Sequence, residues 1–304
     1  MRDAALQSLA VGFFDGVHLG HQAILRGASA ALTFRNHPLS VLAPERAPRL
    51  IMTCEERVAA IRECGVGEVT VLDFTRELAE LSPEAFAANY LSSSASRLPS
   101  CVRCGANWRF GRGGAGDAAF LRRLGFSVEV APYVEYGGGR ISSSRIREAL
   151  ERGEIEEANA MMGRRFKVQG SMFRGKGVGM KIGFPTLNLE LSTLNLRLPL
   201  GVYAVEVAGL RGIANYGLAP TMGDGAWRRP VMEVHFPGAG PEDVRRQTSD
   251  EMTVSLVRFI RPERKFSSVE ELRRQIELDC SRSREDVLFE ADLRAEKGVW
   301  KGDL

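Results

Sequence analysis

At 304 residues the chain is long for one hydrophobic core, so two domains are expected. A hydrophobic content of 44% and a mean hydropathy of −0.14 describe a soluble globular protein, with no apolar run near the roughly 20 residues that span a bilayer. The net charge of +3 is too small to argue for nucleic acid.

The N-terminus carries a single Arg, a very short apolar stretch and an early Asp15, which is not the pattern of a signal peptide. Five scattered cysteines, an odd count, favour reduced thiols in a cytoplasm. Cys101 and Cys104 form a lone C-x-x-C without a second pair or nearby histidines, which suits packing at a strand end better than a metal. Residues 1–160 hold 18 Arg and no Lys. Any cation meeting phosphate there is therefore Arg or His, and a Walker-type loop, which needs its lysine, is excluded.

In chain order, an apolar run (Leu9, Ala10, Val11) leads into Gly12-Phe13-Phe14-Asp15-Gly16-Val17-His18-Leu19-Gly20-His21, and a helical stretch follows from Gln22. This reads as a buried strand, a glycine-punctuated turn and a helix start carrying two imidazoles. Glycines such as Gly12, Gly16 and Gly20 let backbone approach a ligand, and free N–H groups at the helix start attract anions. His18 and His21 can donate to phosphate oxygens as charge shifts onto leaving pyrophosphate. A second strand spans residues 30–34, which leaves only a short stretch after His21 for the first helix, and Pro38 ends regular structure.

Thr53 and Glu56 form a capping box that opens a helix over residues 53–64. Residues 68–74 read as a strand, Ser82-Pro83 opens another helix, and residues 102–105 and 126–130 read as further strands. Strands alternating with helices predict a doubly wound parallel sheet, whose ligands bind beyond the C-terminal strand ends. The opening motif lies at such an end, and so does the segment 105–111 with Asn107 and Arg109. Ser142, Ser143 and Ser144 then open a helix, where they either cap it or bind phosphate, with Arg147 one turn on within reach of the same anion.

From Arg164 the texture changes to short β-type runs at residues 166–168, 201–207, 212–216, 231–236 and 252–259, which predict a small barrel. The boundary falls at residues 161–163. A capped helix runs from Ser267 to about Leu278, and a charged tail follows Val287. Residues 175–188 are rich in glycine, including Gly177 and Gly179, and carry Lys176 and Lys181; taken alone, a flexible hairpin explains them. Thr186 and Asn188, however, alternate onto one face of an extended chain, so both oxygens suit a hard Mg²⁺ beside nucleotide phosphates. Glu233 stands in an apolar strand, either used chemically or turned to solvent.

The opening string resembles the His-x-Gly-His signature of the nucleotidyltransferase superfamily, and Phe-Asp-Gly-Val-His-x-Gly-His narrows the resemblance to the bacterial bifunctional riboflavin kinase/FAD synthetase family. Residues 142–147 resemble that family's Ser-Ser-Thr-x-x-Arg phosphate site with Ser144 for threonine, and Pro185-Thr186-Leu187-Asn188 with Glu233 resembles its kinase motifs. The resemblance implies a Rossmann-like FMN adenylyltransferase domain at 1–160, a riboflavin-kinase-like β-barrel with a C-terminal helix at 164–290, and a tail at 291–304. It implies transfer of AMP from ATP to FMN, with no covalent nucleophile. His18 and His21 would stabilise charge, the turn residues Gly12, Phe14, Asp15, Gly16 and Gly20 would cradle the nucleotide, and Asn107, Arg109, Ser142, Ser143, Ser144 and Arg147 would position phosphates.

In the second half it implies that Thr186 and Asn188 hold Mg-ATP, that Gly177, Gly179 and Lys181 line the nucleotide loop, and that Glu233 takes the proton of the flavin ribityl hydroxyl. ATP, FMN and riboflavin are then substrates, and neither nucleic acid nor membrane is a partner. Two departures stand out. Met180 replaces the family's usual Arg, and residues 237–247 lack its Asp-Leu-Tyr-Gly segment. Rival readings are another His-x-Gly-His nucleotidyltransferase, disfavoured by the appended β domain, or a flavin- or nucleotide-binding regulator that has lost catalysis.

Overall fold

The computed structural model describes residues 8–92, 99–173, 175, 178–191, 197–220, 228–239 and 251–284. The chain forms two compact units, Met1–Arg145 and Ile146–Leu304. In the first, β1 (Ser8–Val11), β2 (Ala30–Phe34), β3 (Glu68–Leu72), β4 (Cys101–Gly105) and β5 (Val128–Ala131) form one sheet of order β3-β2-β1-β4-β5. Every pairing in it is parallel. Neighbouring residues of one strand go to different clusters: Ala10 and Ala31 pack with Ile24, Leu25 and Ile61, whereas Val11 and Leu32 pack with Val102, Phe110 and Leu121. Both faces are therefore covered, as in a doubly wound sheet. Cys104 belongs to the second cluster, and burial pushes its thiol up to about 11.

The chain winds from β1 through β2 to β3 on one side, then crosses to β4 and β5 on the other. The switch lies between β1 and β4, where open α/β sheets bind ligands.

Local signals behave as the sequence suggests in several places. Thr53 Oγ1 accepts from Glu56 N (3.2 Å) while Glu56 accepts from Thr53 N (2.8 Å), so the box opens the Cys54–Glu63 helix. The first helix, Leu19–Leu25, is only 7 residues long. Pro38, expected to end regular structure, instead opens a helical turn at Leu39–Leu42. Its fixed φ suits a helix start, and His37 Nδ1 accepts from Leu39 N at 3.1 Å. The Ser82-capped helix Pro83–Phe86 widens into a π-turn at Ala87–Leu91, which buries Phe86, Ala87 and Leu91 together.

A two-stranded antiparallel ribbon, β6 (Glu135–Tyr136) and β7 (Gly139–Arg140), ends the first unit. The second unit has strands β8 (Phe166–Met172), β9 (Thr186–Leu191), β10 (Gly201–Val207), β11 (Leu210–Pro220), β12 (Arg228–His235) and β13 (Glu251–Pro262), which form a closed antiparallel barrel of order β10-β11-β12-β9-β8-β13. Several exceed their apolar runs, because barrel closure pairs the polar ends as well: β11 keeps register with β12 from Ile213↔His235 to Pro220↔Arg228. The helix Val269–Arg284 runs past Leu278, where its apolar pattern fades. A charged clamp explains the extension: Arg261 of β13 donates Nε and Nη2 to Asp279 at 2.8–3.1 Å, and Gln275 donates to the same carboxylate at 2.8 Å. Cys280 packs beside it on Val202 and Ile213. The expected charged tail lies outside the described residues.

Asp279 is fully buried, so its removal strands the Arg261 cation. Asp279→Ala is expected to destabilise this unit by about 3–5 kcal/mol, read as a lower urea midpoint for its transition.

Candidate functional site

In the first unit the opening motif forms a strained turn. Phe14 and Val17 have φ of 59° and 37°, values unfavourable for residues with a Cβ, and Gly16 has 82°. Gly12 is needed because a Cβ there would lie 2.9 Å from the Phe14 ring. Asp15 is buried, and its carboxylate accepts from Ile51 N (3.0 and 3.2 Å) and Met52 N (3.3 Å). Phe14 is also buried. Both side chains turn inward and shape the turn.

The turn delivers two imidazoles to the helix start. His18 is the N-cap of Leu19–Leu25, its Nδ1 accepting from His21 N at 3.2 Å. With Nδ1 an acceptor, the neutral ring carries its proton on Nε2. The His21 ring stacks on His18 with centroids 3.6 Å apart and meets Phe14 edge-on at 5.4 Å. Gly20 permits this, since a Cβ there would come within 3.2 Å of the His18 ring.

The serine cluster reaches the same turn from the far end of the unit. Ser142 Oγ accepts from Arg145 N (3.3 Å) and so caps the Ser143–Arg152 helix, while Ser143 Oγ donates to Asp15 O at 2.8 Å. Capping and site-building are thus shared between neighbouring serines. Ser144 is exposed and Arg147 half-buried in the first two turns of this helix. Asn107 and Arg109 are exposed just beyond β4, the strand next to β1. Arg109 Nη1 donates to Trp108 O at 2.9 Å, and the Trp108 ring stacks on Phe110.

In the second unit the barrel register aligns a polar row. Asn188 of β9 pairs with Glu233 of β12, which pairs with Asn215 of β11; the next row sets Thr186 opposite His235. A cavity of about 590 Å³ lies over these rows, walled by Thr186, Asn215, Glu233 and His235 and, on the helix side, by Leu272, Ile276 and Asp279. Glu233 lines this cavity while remaining exposed, and partial dehydration there raises its carboxyl from its ordinary value. His235 Nδ1 bonds to Pro185 O (3.0 Å), holding the chain that enters β9.

Thr186 Oγ1 and Asn188 Oδ1 project from one face of β9 beneath two close-lying glycines. A Cβ on Gly179 would lie 3.2 Å from Thr186 Oγ1, and one on Gly175 2.7 Å from Asn188 Oδ1. Two hard, neutral oxygens in a cradle that only glycine leaves open fit a small divalent cation with its nucleotide phosphates. The glycine loop also holds a short helix, Val178–Lys181, on which Met180 is 73% exposed and Lys181 exposed, neither walling the cavity. Gly177 lies outside the described residues. Asn215 and His235 are identified as site residues by their register with Glu233 and Thr186, and the Arg261–Asp279 clamp by its place on the cavity wall.

The sequence matches the FAD synthetase family over residues 2–145 and the riboflavin kinase family over residues 162–287. It is 33% identical over 296 residues to a bifunctional riboflavin kinase/FMN adenylyltransferase of Escherichia coli K12, covering 91% of each chain. The counterpart in Bacillus subtilis is 31% identical over 312 residues, covering 96% of this chain and 95% of the relative. A crystal structure described as a macrolide-efflux protein from Streptococcus pneumoniae superposes with a TM-score of 0.78 at 29% identity, covering 93% of this chain and 95% of the other. Among the described residues no helix is long and apolar enough to cross a membrane.

Proposed function

This chain belongs to the bifunctional riboflavin kinase/FMN adenylyltransferase family of transferases, and from that premise we propose how its residues divide the two reactions. Residues 1–160 adenylylate FMN and residues 164–290 phosphorylate riboflavin. The five free thiols suit a reducing cytoplasm.

In adenylylation an FMN phosphate oxygen attacks the α-phosphorus of ATP, and the bond to the bridging oxygen breaks to release pyrophosphate. His18 Nε2–H and His21 donate to the oxygens that gain charge, and Asn107, Ser142, Ser143 and Arg147 orient the phosphates. The observation that carries this assignment is the Ser143–Asp15 hydrogen bond, which ties the serine cluster to the histidine turn. In phosphorylation Glu233 accepts the proton of the ribityl hydroxyl as that oxygen attacks the γ-phosphorus, releasing ADP. Thr186 and Asn188 would hold Mg²⁺, which would supply charge neutralisation for the phosphates.

The two rates are unequal. Met180 sits in solvent where the family's arginine would offset phosphate charge, and a thioether cannot donate a hydrogen bond. Incubating the purified protein with ATP, Mg²⁺ and either riboflavin or FMN, then separating the flavins, tests the reading. FMN should convert to FAD readily and riboflavin to FMN more slowly. Comparable turnover would show that Met180 is tolerated, and no FAD at all would favour a flavin-binding regulator.

A further inference from the structure

Arg57, on the Cys54–Glu63 helix, is the largest fully buried side chain among the described residues. Its Nη2 donates to the carbonyl oxygens of Phe34 and Arg35 (the latter at 3.1 Å), where β2 leaves the sheet. Its guanidinium carbon lies over the ring of Phe13 in the histidine turn, 4.3 Å from the centroid, and Phe13 also meets His37 edge-on at 4.9 Å. The Phe13 carbonyl is held separately by Thr33 Oγ1 at 2.9 Å.

Burial works against the guanidinium's charge; the Cys54 side chain, by charge and by a hydrogen bond, and the Asp15 carboxylate offset part of that cost. Yet Nε and Nη1 are buried and meet no hydrogen-bond acceptor of normal geometry among the described residues. A buried cation whose Nε and Nη1 have at best a weak sulfur acceptor nearby is a costly way to fill a core, where Met or Leu of similar volume serves as well or better. Its partners all belong to the C-terminal edge of the sheet: the turn after β1 and the bend after β2.

We propose that Arg57 is a positioning residue for adenylyl transfer, bracing Phe13 and the bend at residues 34–37 so that the turn presents His18 and His21 at the geometry the phosphates require. This rests on the reading of that turn as the adenylyl-transfer site. Arg57 touches no substrate and acts through Phe13. The cation–π contact fixes the ring, and the carbonyl bonds fix the segment that flanks it. Displacement of a reacting group by about 1 Å costs on the order of 10²-fold in rate.

The test compares Arg57→Lys, Arg57→Met, Phe13→Leu and His21→Ala in full-length protein, with FMN adenylylation measured as kcat and KM and folding followed by circular dichroism and thermal melting. Arg57→Met should lower kcat about 100-fold with the KM for ATP changed less than threefold. Arg57→Lys, which keeps the charge but not the planar fork, should recover part of the loss, and Phe13→Leu should lower kcat in the same direction. Loss of active fraction would also lower apparent kcat at constant KM, so each kcat is taken below the variant's melting transition with circular dichroism matching the parent. Arg57→Met with wild-type kcat while His21→Ala is inactive would overturn the proposal and spare the site. Wild-type turnover in His21→Ala would instead overturn the reading of the turn. If Arg57→Met does not fold, Arg57→Lys and Phe13→Leu decide: wild-type kcat in both refutes the brace, and reduced kcat at unchanged KM supports it.

Discussion

His21→Ala is expected to lower FMN adenylylation about 10²–10³-fold, the usual cost of removing one preorganised donor to developing negative charge. The structure makes this substitution clean. The helix cap uses the main-chain N–H of residue 21, which alanine keeps, and accepts it on His18 Nδ1. His21 is half-buried at the start of a short helix, and alanine is the better helix former. What is lost is the ring stacked on His18 and poised at the mouth of the turn. His18→Ala would confound the two effects, since it removes the cap as well, at about 1 kcal/mol of stability. Unchanged circular dichroism with turnover down at least tenfold is the expected outcome; unchanged turnover would make the imidazoles ordinary turn residues.

Glu233→Gln should abolish most riboflavin phosphorylation, by about 10²–10⁴-fold, because the amide retains shape but accepts no proton. The pH dependence has a definite sign. Dehydration by the cavity walls raises the Glu233 carboxyl, so the folded protein holds this proton more tightly than the unfolded chain. The resulting stabilisation is present below the unfolded carboxylate value of about 4.3 and is lost as pH rises through the higher folded value. At neutral pH the ionised group is therefore a mild burden on the fold, and Glu233→Gln should melt at the same temperature or higher. Kinase turnover of the unmodified protein should fall in acid with an apparent pKa above 4.3, as expected of a base that must be ionised. A variant with full kinase turnover, or one that melts well below the parent, would remove Glu233 from the chemistry or make it structural.

Much of the architecture was legible because burial repeats along the chain. The runs at β1 and β2 are apolar but for Ser8 and Thr33, as suits strands covered on both faces, and residues 201–207 mark a barrel strand to the residue. Caps were equally readable, since Thr53 and Glu56 satisfy local donors and need no tertiary partner. What depends on distant partners was not. Asp15 reads as a polar member of a phosphate turn until Ile51 and Met52 offer their N–H groups from across the fold. The helix beyond Leu278 has no apolar period to announce it, because a buried ion pair with Arg261 holds its end. Strand alternation left open whether Glu233 faces solvent or chemistry. Only the register, which sets it between Asn188 and Asn215 on a cavity wall, decides its surroundings. Pro38 was misread for a similar reason: a proline that breaks a helix and one that starts it look alike until His37 supplies the cap.

The central claim is that one chain carries two chemically separate sites, the histidine turn for adenylyl transfer and the Thr186–Asn188–Glu233 row for phosphoryl transfer. The most direct test is to assay riboflavin→FMN and FMN→FAD separately on His21→Ala and on Glu233→Gln. The account predicts that His21→Ala loses FAD formation and keeps FMN formation, and that Glu233→Gln does the reverse. A single substitution that silences both activities in a folded protein would contradict it.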